Sequence, residues 1–246
     1  MSTTIGRAGV RSRTDVPTQG WPGMLRTLLL DAGIGASAFY VVALVVGPMR
    51  WEGYSSTNQT ISELFAIDAP SRPLVVSLLF ASGVLALAFG FGVLWSASGS
   101  RALRISGWAL VMIGVVDQAG PFFPMHMRDV LAEGGSTISD TMHIGLTVMI
   151  SLFSLLAMAF GAAAFGKWFR VYSVATILTL DAFGAMASIQ SGALAANVPT
   201  PWQGVYERIN VAAYLLWMAV LAIILLRARM AAPIGEPRGT AGVREG

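Results

Sequence analysis

The chain has 246 residues, of which 55% are hydrophobic and only 12% charged, with a formal net charge of +3. Soluble domains carry about 25% charged residues, so a water-exposed globule of this size is excluded, and the apolar excess excludes a disordered chain. An all-α polytopic membrane protein remains, and the absence of cysteine rules out disulfides and thiolate metal sites.

The first 23 residues are polar and rich in Arg, Gly, Thr and Pro, and are expected to form a disordered basic tail. The apolar stretch after this tail is too long for a signal-peptide core and reads as an uncleaved anchor. Six runs nearly free of charge then predict six transmembrane helices at roughly 24–47, 73–96, 103–123, 140–164, 171–194 and 207–227, each close to the length that crosses hydrocarbon. Together they make one domain over roughly 24–228, followed by a disordered tail over roughly 229–246.

Three spans carry an isolated acid: Asp31, Asp117 and Asp181. Ionisable groups inside a membrane are costly and suggest function by default. Asp31 lies near Arg26 and is expected to pair with it or to reach the interface. Asp117 lies roughly 10 Å below the helix end, where it can share a polar pocket with His143 and Glu63. Asp181 has no charge partner in its own span and can bond to Ser151 or Thr147. Small residues (Ala32, Gly35 and Ala36; Gly83 and Gly90; Gly107 and Gly114) are expected at helix contacts.

The first long connection, 57–69, contains Thr60-Ile61-Ser62-Glu63, a capping-box pattern. It predicts a short interfacial helix with Ile61, Leu64 and Phe65 on its apolar face. Thr137-Ile138-Ser139-Asp140 repeats the pattern before the fourth span.

Twelve of the sixteen basic residues flank one side of the six spans, including Arg101, Arg104, Lys167, Arg170 and both tails. By the positive-inside rule both termini are cytoplasmic, in a multi-pass protein of the plasma (inner) membrane. This orientation accounts for the basic balance without a nucleic-acid partner. The long connections, with most of the acids and both histidines, then face outward.

Two constellations stand out on that outer side. Ser62, Glu63, Asp117, His143, Glu207 and Arg208 form a candidate polar cluster, in which Arg208 can pair with Glu63 or Asp140. His126 and Asp129, and again Asp140 and His143, stand three residues apart and can share a helix face. Two histidines and two carboxylates can fill a zinc shell, but no H-E-x-x-H-type motif is present. A metal site is therefore the lesser reading, and no cofactor is expected.

A family resemblance rests on Gly53-Tyr54-Ser55, Gln59-Thr60-Ile61-Ser62-Glu63-Leu64, Ala69-Pro70, Phe123-Pro124, Gly204-Val205-Tyr206-Glu207-Arg208-Ile209 and Trp217. Over roughly 26–227 the chain resembles the prokaryotic six-helix membrane proteins catalogued as domain of unknown function 998. The resemblance implies a six-helix membrane fold without an established activity, and carries over Ser62, Glu63, Pro124, Glu207 and Arg208 as pattern residues. In that family an Asp often follows Phe-Pro at once. Here His126 comes first and Asp129 later.

The leading expectation is a bilayer protein that binds a lipid headgroup or small molecule in an outer-facing polar pocket. One alternative is a metal-dependent intramembrane hydrolase, which needs His126, His143 and an acid to converge. Another is a transporter, which needs a polar path through Asp117, Asp181 and Asp31. The oligomeric state is left open.

Overall fold

The computed structural model describes residues 20–231. The expected tails lie outside the described residues, apart from their inner edges, which are helical. All six expected spans form. They are α1 (Trp21–Val46), α2 (Arg72–Ser96), α3 (Arg101–Ala119), α5 (Ile138–Ala164), α6 (Lys167–Ile189) and α8 (Gln203–Ala231). Two short helices, α4 (Arg128–Ala132) and α7 (Ser191–Ala195), lie in the connections. The six long helices have the length and apolarity to cross a membrane, and the described residues contain no strand.

Local chemistry sets the helix ends. Pro22 and Pro73 sit in the first turns of α1 and α2, where a missing N–H costs nothing. Ser100 caps α3 by accepting the Leu103 N–H at 3.1 Å. At the other end of α1 and α3, Gly47-Pro48 and Gly120-Pro121 each start a 3-10 turn.

The long helices form a closed ring in the order α1, α2, α3, α5, α6, α8, with α8 returning to pack on α1. The end of the ring with the 47–71, 120–137 and 190–202 connections is its distal end, and the end with both termini is its proximal end. Toward the proximal end the ring is filled by Phe89, Leu110, Trp217 and Leu221, all 1% exposed or less. Toward the distal end it is not filled.

The glycines close the α2–α3 seam as expected. A Cβ on Gly114 would sit 2.6 Å from the Leu87 backbone, and one on Gly90 would sit 2.7 Å from the Val111 nitrogen. These helices touch backbone to backbone, which suits association in lipid. Gly114→Ala is therefore expected to destabilise the fold by about 1–3 kcal/mol through overpacking, read as a lower thermal midpoint in detergent.

The short helix of the first connection is a single 3-10 turn, Ser62–Phe65. Its Leu64 is fully buried against Ala43 and Val75. The apolar side thus faces α1 and α2, because the capping hydrogen bonds roll the turn inward onto the bundle.

Asp31 does not pair with Arg26, and Asp181 does not bond to Ser151 or Thr147. The Arg26 Nε–H donates to the Ser96 hydroxyl at 3.1 Å, and no ion pair joins it to Asp31. Asp31 and Asp181 are both exposed on the outside of the ring. Ser151 and Thr147 instead bond to carbonyls of their own helix, which satisfies a hydroxyl inside a membrane without a partner helix. Asp31 and Asp181 thus share no enclosed space with Asp117, which lines the interior of the ring.

Candidate functional site

The site is built from the distal connections. Thr60 and Glu63 close a reciprocal capping box. The Thr60 N–H donates to Glu63 Oε2 at 2.7 Å, and the Glu63 N–H donates to Thr60 Oγ1 at 3.2 Å. Arg128, from the start of α4, grips the same carboxylate through Nε and Nη2 at 2.5 and 2.7 Å. This bidentate geometry is the strongest form of an arginine–carboxylate pair. Gln59 Nε2 donates to it as well, at 3.2 Å. Burial alone would raise the Glu63 pKa, but these donors outweigh burial and hold the carboxyl below its ordinary value.

The expected pairing of Arg208 with Glu63 or Asp140 does not occur. Arg208 donates to the carbonyls of Ser56, Gln59 and Gly204, and to the Tyr54 hydroxyl at 2.9 Å. Its guanidinium also lies 5.7 Å from the Tyr54 ring centroid. The reason is steric order: Arg128 already fills the bidentate edge of Glu63, and four backbone and phenol oxygens surround Arg208. Tyr54 in turn donates to the Thr60 carbonyl at 2.7 Å, and burial pushes its phenol up to about 12. Glu207 accepts the Ile61 N–H at 2.7 Å. The segment 54–63 is thus pinned by groups from α4 and α8, far away in sequence.

His126 and Asp129 do not pair. Asp140 accepts the His126 N–H at 2.7 Å and meets His126 Nδ1 at 2.8 Å. Asp140 also completes the second capping box by accepting the Thr137 N–H at 2.8 Å. Among the described residues the Asp129 carboxylate accepts only the neighbouring Val130 N–H, and it is exposed. His143 points elsewhere, with Nδ1 3.2 Å from the Phe123 carbonyl and Nε2 3.1 Å from the Ser62 hydroxyl. Among the described residues no three His, Asp or Glu side chains converge as a metal shell would need. The histidines are held apart because Asp140 binds one while Ser62 and a carbonyl bind the other. The metal-dependent hydrolase reading loses its geometry here.

Beneath these loops lies a cavity of about 330 Å³ in the distal half of the ring. Its upper wall carries Ser62, His143, Asp117 and Glu207. Its lower wall is mostly apolar, with Ala86, Ile113, Ile150, Leu215 and Met218 beside Ser82 and Ser154. All six long helices contribute to the lining. Of the six candidate cluster residues, four therefore share one cavity, while Glu63 and Arg208 organise the loops above it. Tyr40, Tyr214 and Asn210 also line it, and the sequence did not single them out. Arg128 was missed as well, and its signal was present: it is the lone base among the acids of the 123–140 segment.

The fold and cavity define a six-helix membrane protein with a polar chamber under its distal loops. The sequence pattern of the family described as "Protein of unknown function (DUF998)" matches residues 34–224, and the chain belongs to that family. No curated protein and no solved structure matches it.

Proposed function

We propose that this protein binds an amphiphile, with the polar head at Asp117, Ser62, His143 and Glu207 and the apolar tail running down the cavity toward Met218. The cavity carries this reading. Its volume of about 330 Å³ falls within the ~300–1,000 Å³ of ordinary ligand pockets, and a few polar groups over apolar walls are the usual lining. Native mass spectrometry from a mild detergent is expected to find one amphiphile per chain. Ser154→Leu, which fills the lower cavity, is expected to lower its occupancy. A chain free of lipid under conditions that keep it folded contradicts the reading.

In this proposal the distal loops face the outside of the plasma (inner) membrane, in line with the excess of basic residues at the proximal end. The chain has no cysteine, so single-cysteine mapping has no background. Glu133→Cys is expected to react with an impermeant maleimide in intact cells, and Ser98→Cys only after permeabilisation. The reverse pattern overturns the orientation.

One contact favours a second reading, ester hydrolysis at Ser62. The Phe123 carbonyl can only accept, so His143 Nδ1 carries the proton and Nε2 accepts from the Ser62 hydroxyl. That is the arrangement by which a histidine activates a serine. An alkyl fluorophosphonate is expected to label the native chain and not Ser62→Ala. An unlabelled native chain removes this reading and leaves the binding proposal intact.

A further inference from the structure

Resting on the amphiphile reading, we infer that the head group taken by this cavity is an ammonium: the ligand is a long-chain amine or an amine-headed lipid. The charges around the chamber point to it first. Among the described residues two carboxylates, Asp117 and Glu207, line it, and no lysine or arginine does. The neighbouring arginines are committed elsewhere. Arg72 donates to the Phe65 and Pro121 carbonyls, Arg128 to Glu63, and Arg208 to Tyr54 and three carbonyls. An anionic head would meet two acids and no countercharge, which is a strong selection against it.

The acids also have unused acceptor capacity. Glu207 engages the Ile61 N–H through Oε2 alone. The Asp117 carboxyl makes no hydrogen bond with any other described residue, and it lines the cavity together with Tyr40 and Tyr214. Asp117 is half-buried and opens on the cavity, and an ionisable group without a partner inside a membrane is costly. Several polar side chains of the chamber are already committed elsewhere, while the Tyr40 and Tyr214 hydroxyls line the same space as Asp117. Ser151, Thr147 and Ser188 donate to carbonyls of their own helices, and Asn210 Nδ2 donates to the Leu180 carbonyl at 2.7 Å.

An ammonium supplies what is missing. It brings three N–H donors and no acceptor, so it can bond to Asp117 and to the free oxygen of Glu207 together. Tyr40 and Tyr214 line the same space, and aromatic faces attract cations within about 6 Å. The lower wall then accepts the alkyl chain.

Dodecylamine, dodecanol and dodecanoate share one chain and differ only in the head. Native mass spectrometry on the full chain in a non-ionic detergent compares them directly. Dodecylamine is expected to bind at least about tenfold more tightly than dodecanol, since hydrogen bonds to charged groups are worth more than neutral ones, and dodecanoate more weakly than either. Asp117→Asn is expected to erase the preference for the amine over dodecanol. Lysophosphatidylethanolamine, added in competition, separates the two sources of the same chemistry: displacement of dodecylamine identifies an amine-headed lipid, and no displacement identifies a free amine.

Equal binding of all three probes to the native chain overturns this inference and leaves the amphiphile reading standing. Binding of none overturns both. Retention of the amine preference in Asp117→Asn also overturns it, because the cation would then sit elsewhere. Should Asp117→Asn fail to fold, the comparison on the native chain decides alone, supported by Glu207→Gln.

Discussion

Arg128→Ala is expected to cost about 3–5 kcal/mol of stability, the range for removing one member of a buried ion pair. The Glu63 side chain is 1% exposed and that of Arg128 15%, so the carboxylate left behind has no water to fall back on. Removing the guanidinium leaves a buried carboxylate with the Thr60 and Gln59 donors only. It also releases α4 from the 54–63 segment, and with it the cover of the cavity. A double-mutant cycle in detergent checks the cause. Glu63→Gln together with Arg128→Ala is expected to cost less than the sum of the two single changes, because the second removes a charge already without a partner. Acid tests the same pair without mutation. A carboxyl held below its ordinary value of 4.5 stabilises the fold above that value. This stability is lost as the pH falls through the lower folded value. The native chain is thus expected to lose stability below about pH 4.5, and Glu63→Gln to lose less over the same range.

Trp217→Ala is expected to be comparably damaging, at about 3–5 kcal/mol for a large buried aromatic. Trp217 is fully buried, and its indole N–H donates to Ser173 at 2.9 Å. The ring packs against Phe169 with centroids 6.0 Å apart, and Gly161 leaves space for its edge. One side chain on α8 therefore ties α5 and α6 together below the cavity. Trp217→Phe keeps most of the volume and loses the hydrogen bond, and is expected to cost about 1 kcal/mol. Thermal midpoints of the two variants separate packing from polarity. In Trp217→Ala the space above Met218 is also expected to extend toward the proximal end, admitting a longer alkyl chain.

The spans were legible because charge is the quantity a membrane excludes, and the gaps between charged residues map directly onto the six helices. The capping boxes were legible for a similar reason. Thr60 with Glu63, and Thr137 with Asp140, act within four residues, so sequence distance equals spatial distance. The cavity residues Ser62, Asp117, His143 and Glu207 could be grouped because each sits near the distal end of its helix. What sequence did not carry was partner choice. His126 finds Asp140 across fourteen positions, and Glu63 finds Arg128 across sixty-five. Such pairs depend on which helices are neighbours in the ring and on loop paths that no local pattern encodes. Arg208 shows the same limit from the other side. An arginine beside several acids reads as an ion pair, yet backbone carbonyls and a tyrosine hydroxyl took it. The depth of Asp117 was readable from helical rise, but its place within a chamber shared by six helices was not.

The most direct test is an experimental structure of the native chain in lipid nanodiscs. The account predicts non-protein density in the distal chamber, elongated along Ile113, Ile150 and Met218, with its head within hydrogen-bonding distance of Asp117. A chamber closed by inward movement of α2 or α5, or one holding water alone, would contradict it.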